Sequence, residues 1–235
     1  MGRRAMARGQ AGNPAAWLIP MEQHDPAAAS KLVSLLAEGG VDVLQAQEPF
    51  NAGNTLYDAG TAIVPMDQPF RAYAKSLLET QRYPARKNGG VTERPYDVAG
   101  WTLPAQMGVR VDAVADAFDT PVTSRVDRLT PPVRYVVGHQ KPDVYLVDAR
   151  GTLGVIAANR LLSAGVAAEW TSGTVMADGT TYPAGTLAVR PGAQARSVVD
   201  TLARQLGLRV AGVKTRPFPS VPVRRARTGL YRPWN

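Results

Sequence analysis

The chain has 235 residues, 45% of them apolar and 20% charged, with no Cys, a length that buries one sizeable core or two small ones. The absence of Cys excludes disulfides, thiol nucleophiles and thiolate metal sites, and no apolar run approaches the roughly 20 residues of a membrane helix, so no membrane span is expected. The 27 Lys and Arg against 19 Asp and Glu give +8, but residues 1–10 and 214–235 together carry +9 without a single acid, leaving residues 11–213 at −1. A fold that binds phosphate backbones gathers its basic residues on one element, often with stacking aromatics between them. The body of this chain has no such run, and no nucleic-acid partner is expected. The opening MGRRAMARGQ also lacks the apolar segment of a signal peptide.

In chain order, residues 15–20 (AAWLIP) form a short apolar run suited to a buried strand. Asp25-Pro26 then supplies a helix cap and a proline at the first helical position. Ala28, Leu32, Leu35 and Leu36 keep helical spacing to Glu38, where Gly39-Gly40 ends the helix. Residues 41–46 read as a second strand and residues 60–64 as a third, separated by a turn-rich stretch around Asn51 to Asn54. Asp67 is the expected cap of a helix whose stripe is Phe70, Tyr73, Ala74, Leu77 and Leu78.

The same unit returns: strand 144–148, helix 152–164, strands 166–171 and 185–189, and helix 193–206 with Ala195, Val198, Val199 and Leu202 on one face. Gly40-Val41 corresponds to Gly165-Val166, Tyr57 to Tyr182, Ala59-Gly60-Thr61 to Ala184-Gly185-Thr186, Val64 to Val189, Arg71 to Arg196 and Leu77 to Leu202. The offset is 125 throughout, the signature of an internal duplication. The expected fold is α/β: two related three-layer α/β halves, residues 14–83 and 142–213, joined by an irregular, proline-broken connector, 84–141, that packs on both. Within the connector, residues 109–118 are expected as a strand entering a short helix, and residues 133–137 as a further strand. Residues 1–13 are expected outside the fold, as a disordered or artefactual start. Residues 214–235 read as a basic linker leading to the truncated first strand of another domain.

For chemistry, neither His24 nor His139 opens an H-x-x-E pair, no Ser sits in a G-x-S-x-G elbow, and no metal site is expected. No catalytic residue is assigned. Gly151-Thr152-Leu153-Gly154 opens a helix after a strand, a context for anion binding, but a turn that needs glycine explains it more simply. The candidate ligand-binding residues are Glu22, Gln23, His24 and Asp25, at the carboxyl end of the first strand, where open α/β sheets bind ligands. Set against that is a plain structural role, Asp25 capping the helix and Gln23 and His24 satisfying loop backbone.

The runs Trp17 to Pro26 (WLIPMEQHDP), Gln68 to Pro84 (QPFRAYAKSLLETQRYP), Pro95 to Gly108 (PYDVAGWTLPAQMG) and Thr228 to Trp234 (TGLYRPW) resemble the region after the catalytic domain in large bacterial zinc carboxypeptidases of the carboxypeptidase A-like metallopeptidase family. In that family a peptidase domain precedes this α/β region, and a class I glutamine amidotransferase-like domain follows it. The resemblance implies an exported, extracytoplasmic parent protein that removes C-terminal residues from peptides with a zinc-bound water. Zinc is expected only in the absent catalytic domain, so this chain carries no cofactor and no peptidase activity of its own. Its implied partners are the absent peptidase and amidotransferase-like domains and a peptide substrate. The function expected is a non-catalytic scaffold or substrate-positioning region. The alternative is a stand-alone small-molecule-binding α/β module with its site near Glu22 to Asp25.

Overall fold

Short, wholly apolar strands bounded by capped helices demand cover on both sheet faces. The computed structural model describes residues 2–10, 13–81, 87–88, 91–92, 100, 102–215, 217–225 and 229, and the chain divides into two units, Met1–Thr130 and Pro131–Asn235. It is a mixed α/β protein built on separate sheets. Most of the Pro95 to Trp101 run and all but Gly229 of the Thr228 to Trp234 run lie outside the described residues.

The first unit contains α1 (Gly2–Gln10), β1 (Ala16–Ile19), α2 (Pro26–Glu38), β2 (Leu44–Ala46), β3 (Phe50–Ala52), β4 (Thr55–Tyr57), β5 (Ala62–Pro65) and α3 (Arg71–Leu78). It continues with β6 (Lys87–Asn88), β7 (Val91–Thr92), α4 (Leu103–Met107), β8 (Asp112–Val114) and β9 (Thr123–Arg125). The main sheet runs β8-β1-β5-β2-β9, with every neighbouring pair antiparallel. The β1–α2–β2 crossover therefore leaves a gap that β5 fills in the opposite direction. The rule that places ligands at the carboxyl ends of parallel strands does not govern this sheet.

All four β1 residues are buried because the two faces are covered differently. Trp17 and Ile19 pack with Leu32, Val33, Leu36, Ala74 and Leu78 of the helices. Ala16 and Leu18 pack instead with Phe50, Ala52 and Tyr57 of the β3–β4 hairpin. Fully burying one such aliphatic side chain contributes about 1.5–3 kcal/mol, so the register Leu18 opposite Ile63 is fixed by both faces at once.

Helix α2 begins as its sequence indicates: Asp25 Oδ1 accepts the amides of Ala27 and Ala28, each at 3.1 Å. It stops at Gly39-Gly40, with Gly40 at φ +84°, and the Phe70 and Tyr73 rings lie against these two glycines where Cβ atoms would stand. That placement explains why Phe70 and Tyr73 are half exposed while Ala74 and Leu78 enter the core. Asp67 is not the cap of α3; Phe70 holds the N-cap position and gives no side-chain bond. The buried polar residue in this turn is Gln68, whose amide nitrogen donates to the Pro65 and Asp42 carbonyls while its oxygen accepts the Asp42 amide at 2.7 Å. The turn-rich stretch near Asn51 is the β3–β4 hairpin. The short helix expected after β8 does not form: residues 115–118 are not helical. Residues 2–10, outside the fold by composition, form α1, which packs on α3 and brings Gly9 onto the Met66–Asp67 backbone.

The second unit contains β10 (Val137–Gly138), β11 (Val144–Val147), α5 (Gly151–Ser163), β12 (Ala168–Thr171), β13 (Val175–Ala177), β14 (Thr180–Tyr182), β15 (Leu187–Val189), α6 (Ala195–Leu206), β16 (Val210–Val213) and β17 (Ser220–Pro222). The run expected as a strand over 133–137 contributes only its last residue, to β10. The sheet runs β10-β16-β11-β15-β12-β17, and only β10–β16 is parallel. Strand β17 lies in the stretch read from sequence as a linker. It is held by the ladder to β12 and by Ser220 Oγ donating to Glu169 Oε2 at 2.6 Å.

Individual backbone bonds of the first unit recur 125 positions later. The Gly60 amide donates to the Ala46 carbonyl and the Gly185 amide to the Thr171 carbonyl, both at 2.8 Å. Thr61 Oγ1 donates to the Asp58 carbonyl at 2.8 Å and Thr186 Oγ1 to the Pro183 carbonyl at 2.7 Å. The first strand breaks this spacing: Ile63 faces Leu18, but Ala188, 125 positions on, faces Leu146, 128 positions on. The strand-to-helix loop is residues 20–25 in the first unit and only 148–150 in the second.

Candidate functional site

The hairpin side of the second sheet is thinner in side chains than that of the first. Its cluster is Val144, Leu146, Val175, Ala177, Ala188 and Val213, with Tyr182, Ala211 and Phe218 partly buried against it. The first unit places Phe50 and Ile63 125 residues before Val175 and Ala188, and stacks Phe118 on Phe50 at 5.6 Å. Beside the leaner packing of the second unit is a half-open cleft of about 720 Å³, within the range of small-molecule sites.

Five segments wall it: Arg134, Tyr135 and Val137 entering and forming β10, Asp148 and Arg150 from the three-residue loop after β11, Thr180 to Pro183 from the second hairpin strand and the residue after it, Thr186 just before β15, and Arg209 to Ala211 at the start of β16. Arg150 and Asp148 form a two-bond pair, Nε to Oδ1 and Nη2 to Oδ2, both at 2.8 Å. Burial first, and the Asp178 carboxylate second, push the Tyr182 phenol above its ordinary value, so at neutral pH it is a neutral O–H donor. The hairpin that carries it turns at Asp178-Gly179, both at positive φ, the geometry that two-residue loops of this kind use. Next to Arg150, α5 begins at Gly151 without a side-chain cap, and Gly154 must remain glycine because a Cβ there would overlap the Ala149 carbonyl.

The lining is therefore three guanidinium groups, one carboxylate already held by one of them, hydroxyls from Tyr135, Thr180, Thr181, Thr186 and Tyr182, and the apolar residues Val137, Pro183, Val210 and Ala211. It contains no His, Lys or Ser. Such a set receives an anion attached to an apolar body, and Arg, with its planar fork of donors, suits oxyanions best.

The sequence candidates lie elsewhere, in the first unit. Asp25 is occupied by the α2 amides. Gln23 donates to the Pro20 carbonyl and accepts the Arg110 amide at 2.8 Å. Glu22 and His24 are exposed. The first unit's own polar cluster is Tyr57–Asp112–Arg110: Tyr57 Oη donates to Asp112 Oδ2 at 3.0 Å, and Arg110 gives Nε and Nη2 to the same carboxylate at 3.1 and 2.6 Å. Burial and then this carboxylate push the Tyr57 phenol upward. No sequence motif marked either cluster. The arginines of the cleft are spread over 75 positions, from 134 to 209, and only the paired tyrosines Tyr57 and Tyr182 pointed toward it.

His139 lies 3.2 Å from Asp178 in the second unit, His24 is exposed in the first, and among the described residues no group of three or more His, Asp or Glu stands in ligating arrangement. No helix among the described residues is long and apolar enough to cross a membrane. Compared with models of known protein families, with curated proteins and with solved structures, the chain matches none.

Proposed function

We propose that this chain is a non-catalytic ligand-positioning region, of the kind that accompanies the peptidase domain in zinc carboxypeptidase-like proteins, and that the cleft of its second unit holds an anionic ligand. The observation that carries the reading is the convergence of Arg134, Arg150 and Arg209 with the Tyr182 phenol on one cleft whose lining carboxylate, Asp148, is already engaged by Arg150. The absent peptidase and amidotransferase-like domains would be its partners, in an extracytoplasmic protein. Titration of the intact chain by calorimetry with phosphate and with short carboxylic acids tests it: saturable binding that weakens as salt rises supports the reading. Absence of any anion binding, or zinc-dependent peptide cleavage by the purified chain, removes it.

We also propose that the two units derive from one duplicated α/β half. The support is the common strand order, β8-β1-β5-β2-β9 beside β16-β11-β15-β12-β17, together with the bonds repeated at 125 residues. The second unit then differs by a shortened strand-to-helix loop and an added β10. A crystal structure in which those bonds fell at other spacings would end this reading. A stand-alone binding module centred on Glu22 to Asp25 is less well supported, since Gln23 and Asp25 are engaged by backbone groups.

A further inference from the structure

The two sheets put different side chains at one scaffold position. In the first unit the β8 residue opposite Leu18 is Asp112; in the second the β16 residue opposite Leu146 is Ala211. Each is preceded by an arginine two residues earlier, Arg110 and Arg209, and each unit carries a tyrosine at the end of its second hairpin strand, Tyr57 and Tyr182. In the first unit the Asp112 carboxylate joins the tyrosine and the arginine into a closed cluster. In the second unit the side chain at that position stops at Cβ, and Tyr182, Arg209 and Ala211 all line the cleft.

We infer that the cleft takes a carboxylic acid with an apolar body, whose carboxylate occupies beside Tyr182 and Arg209 the place that the Asp112 side chain fills in the first unit. The inference rests on the anion-binding reading above and specifies its chemistry. A planar carboxylate has two acceptor oxygens, which match one phenol donor and one fork of a guanidinium. Arg209 has contacts of its own, and a guanidinium with five N–H donors can keep those and still serve a ligand. The apolar body lies along Val137 and Pro183, which supply the non-polar wall of the cleft.

The test uses the intact chain and 4-phenylbutyrate as probe, with 4-phenyl-1-butanol as its uncharged counterpart and inorganic phosphate as the competing oxyanion, read by calorimetry and by amide chemical shifts. The expected result is saturable butyrate binding that shifts the Ala211 and Tyr182 amides, at least tenfold weaker binding of the alcohol, and no displacement by equimolar phosphate. Ala211→Asp, which rebuilds the first unit's cluster in the cleft, should lower butyrate affinity at least tenfold. Tyr182→Phe, which keeps the ring and removes only the donor, should lower it about five- to tenfold, and serves if the aspartate variant does not fold. Phosphate binding without butyrate binding overturns the carboxylate assignment and leaves the anion cleft standing; binding of neither overturns both. Equal affinity for acid and alcohol, or undiminished butyrate binding in a folded Ala211→Asp chain, also overturns the assignment.

Discussion

Replacing Asp112 by Ala in the first unit removes the acceptor that closes the Tyr57–Asp112–Arg110 cluster, and the cost can be worked from its parts. Tyr57 is only 6% exposed, so its hydroxyl, 3.0 Å from Oδ2, loses a bond to a charged acceptor in a poorly hydrated place, worth about 1.5–3 kcal/mol. The Arg110 side of the cluster contributes less, because the guanidinium is 55% exposed and an exposed pair is worth about 0–1 kcal/mol. The expected destabilisation is about 2–3 kcal/mol. At roughly 3–5 °C per kcal/mol for a unit of this size, the first unit's transition should fall by about 6–15 °C. Tyr57→Phe alone leaves Asp112 with Arg110 and should cost about 1 kcal/mol. In a double-mutant cycle by urea denaturation the two changes should be less than additive by about 1–2 kcal/mol. Strict additivity would show that the hydroxyl and the carboxylate do not interact, and the argument built on the absence of that carboxylate from the second unit would fall with it.

The remaining expectations concern both units. Gly154→Ala should destabilise the second unit although alanine favours an unconstrained helix interior by about 1 kcal/mol, because the added Cβ meets the Ala149 carbonyl; Asn159→Ala, at an exposed position of the same helix, should be neutral or slightly stabilising, and thermal melts of the pair check the contrast of sign. Tyr57 and Tyr182 have raised phenol values in the folded chain, so their stabilisation is complete below about pH 10, the unfolded value, and is lost as pH rises through the folded values. Tyr57→Phe should therefore flatten the alkaline fall in stability, as read by denaturant midpoints at pH 8 to 11. Glu169 is held below the usual carboxylate range by Ser220 first and Arg190 second, so its contribution stands above about pH 4.5 and is lost as pH falls through the lower folded value. Ser220→Ala should reduce that acid dependence and speed amide exchange in β17, and unchanged exchange there would count against the Glu169–Ser220 link.

The lengths and ends of several helices were legible in the residues themselves. Asp25-Pro26 and Gly39-Gly40 act within one turn of the backbone, and α2 spans the interval between them. The 125-residue spacing likewise marks paired glycines and threonines whose backbone bonds do recur. Local signals failed where a distant partner decided the outcome. Asp67 is a good cap by type, yet Gln68 is the residue the turn buries, since its amide finds Asp42 and Pro65 carbonyls. Phe70 and Tyr73 match the apolar period, yet cover the glycine end of α2. The hairpin strands β3 and β4 are too short to show a period.

The candidate loop Glu22 to Asp25 was chosen because polar residues stood together at the end of a strand, and Gln23 and Asp25 are engaged by backbone groups. The cleft has the opposite character: Arg134, Arg150, Tyr182 and Arg209 stand far apart in the chain. The sequence by itself determined the α/β class, the capped start and glycine stop of α2 and the repeated spacing, because caps, glycine stops and apolar periods act over a few residues. Only the tertiary structure decided that β5 lies between β1 and β2, that β8 and β16 put Asp112 and Ala211 at matching places, and that three scattered arginines share one cleft, because strand order and register depend on contacts between residues far apart in the chain.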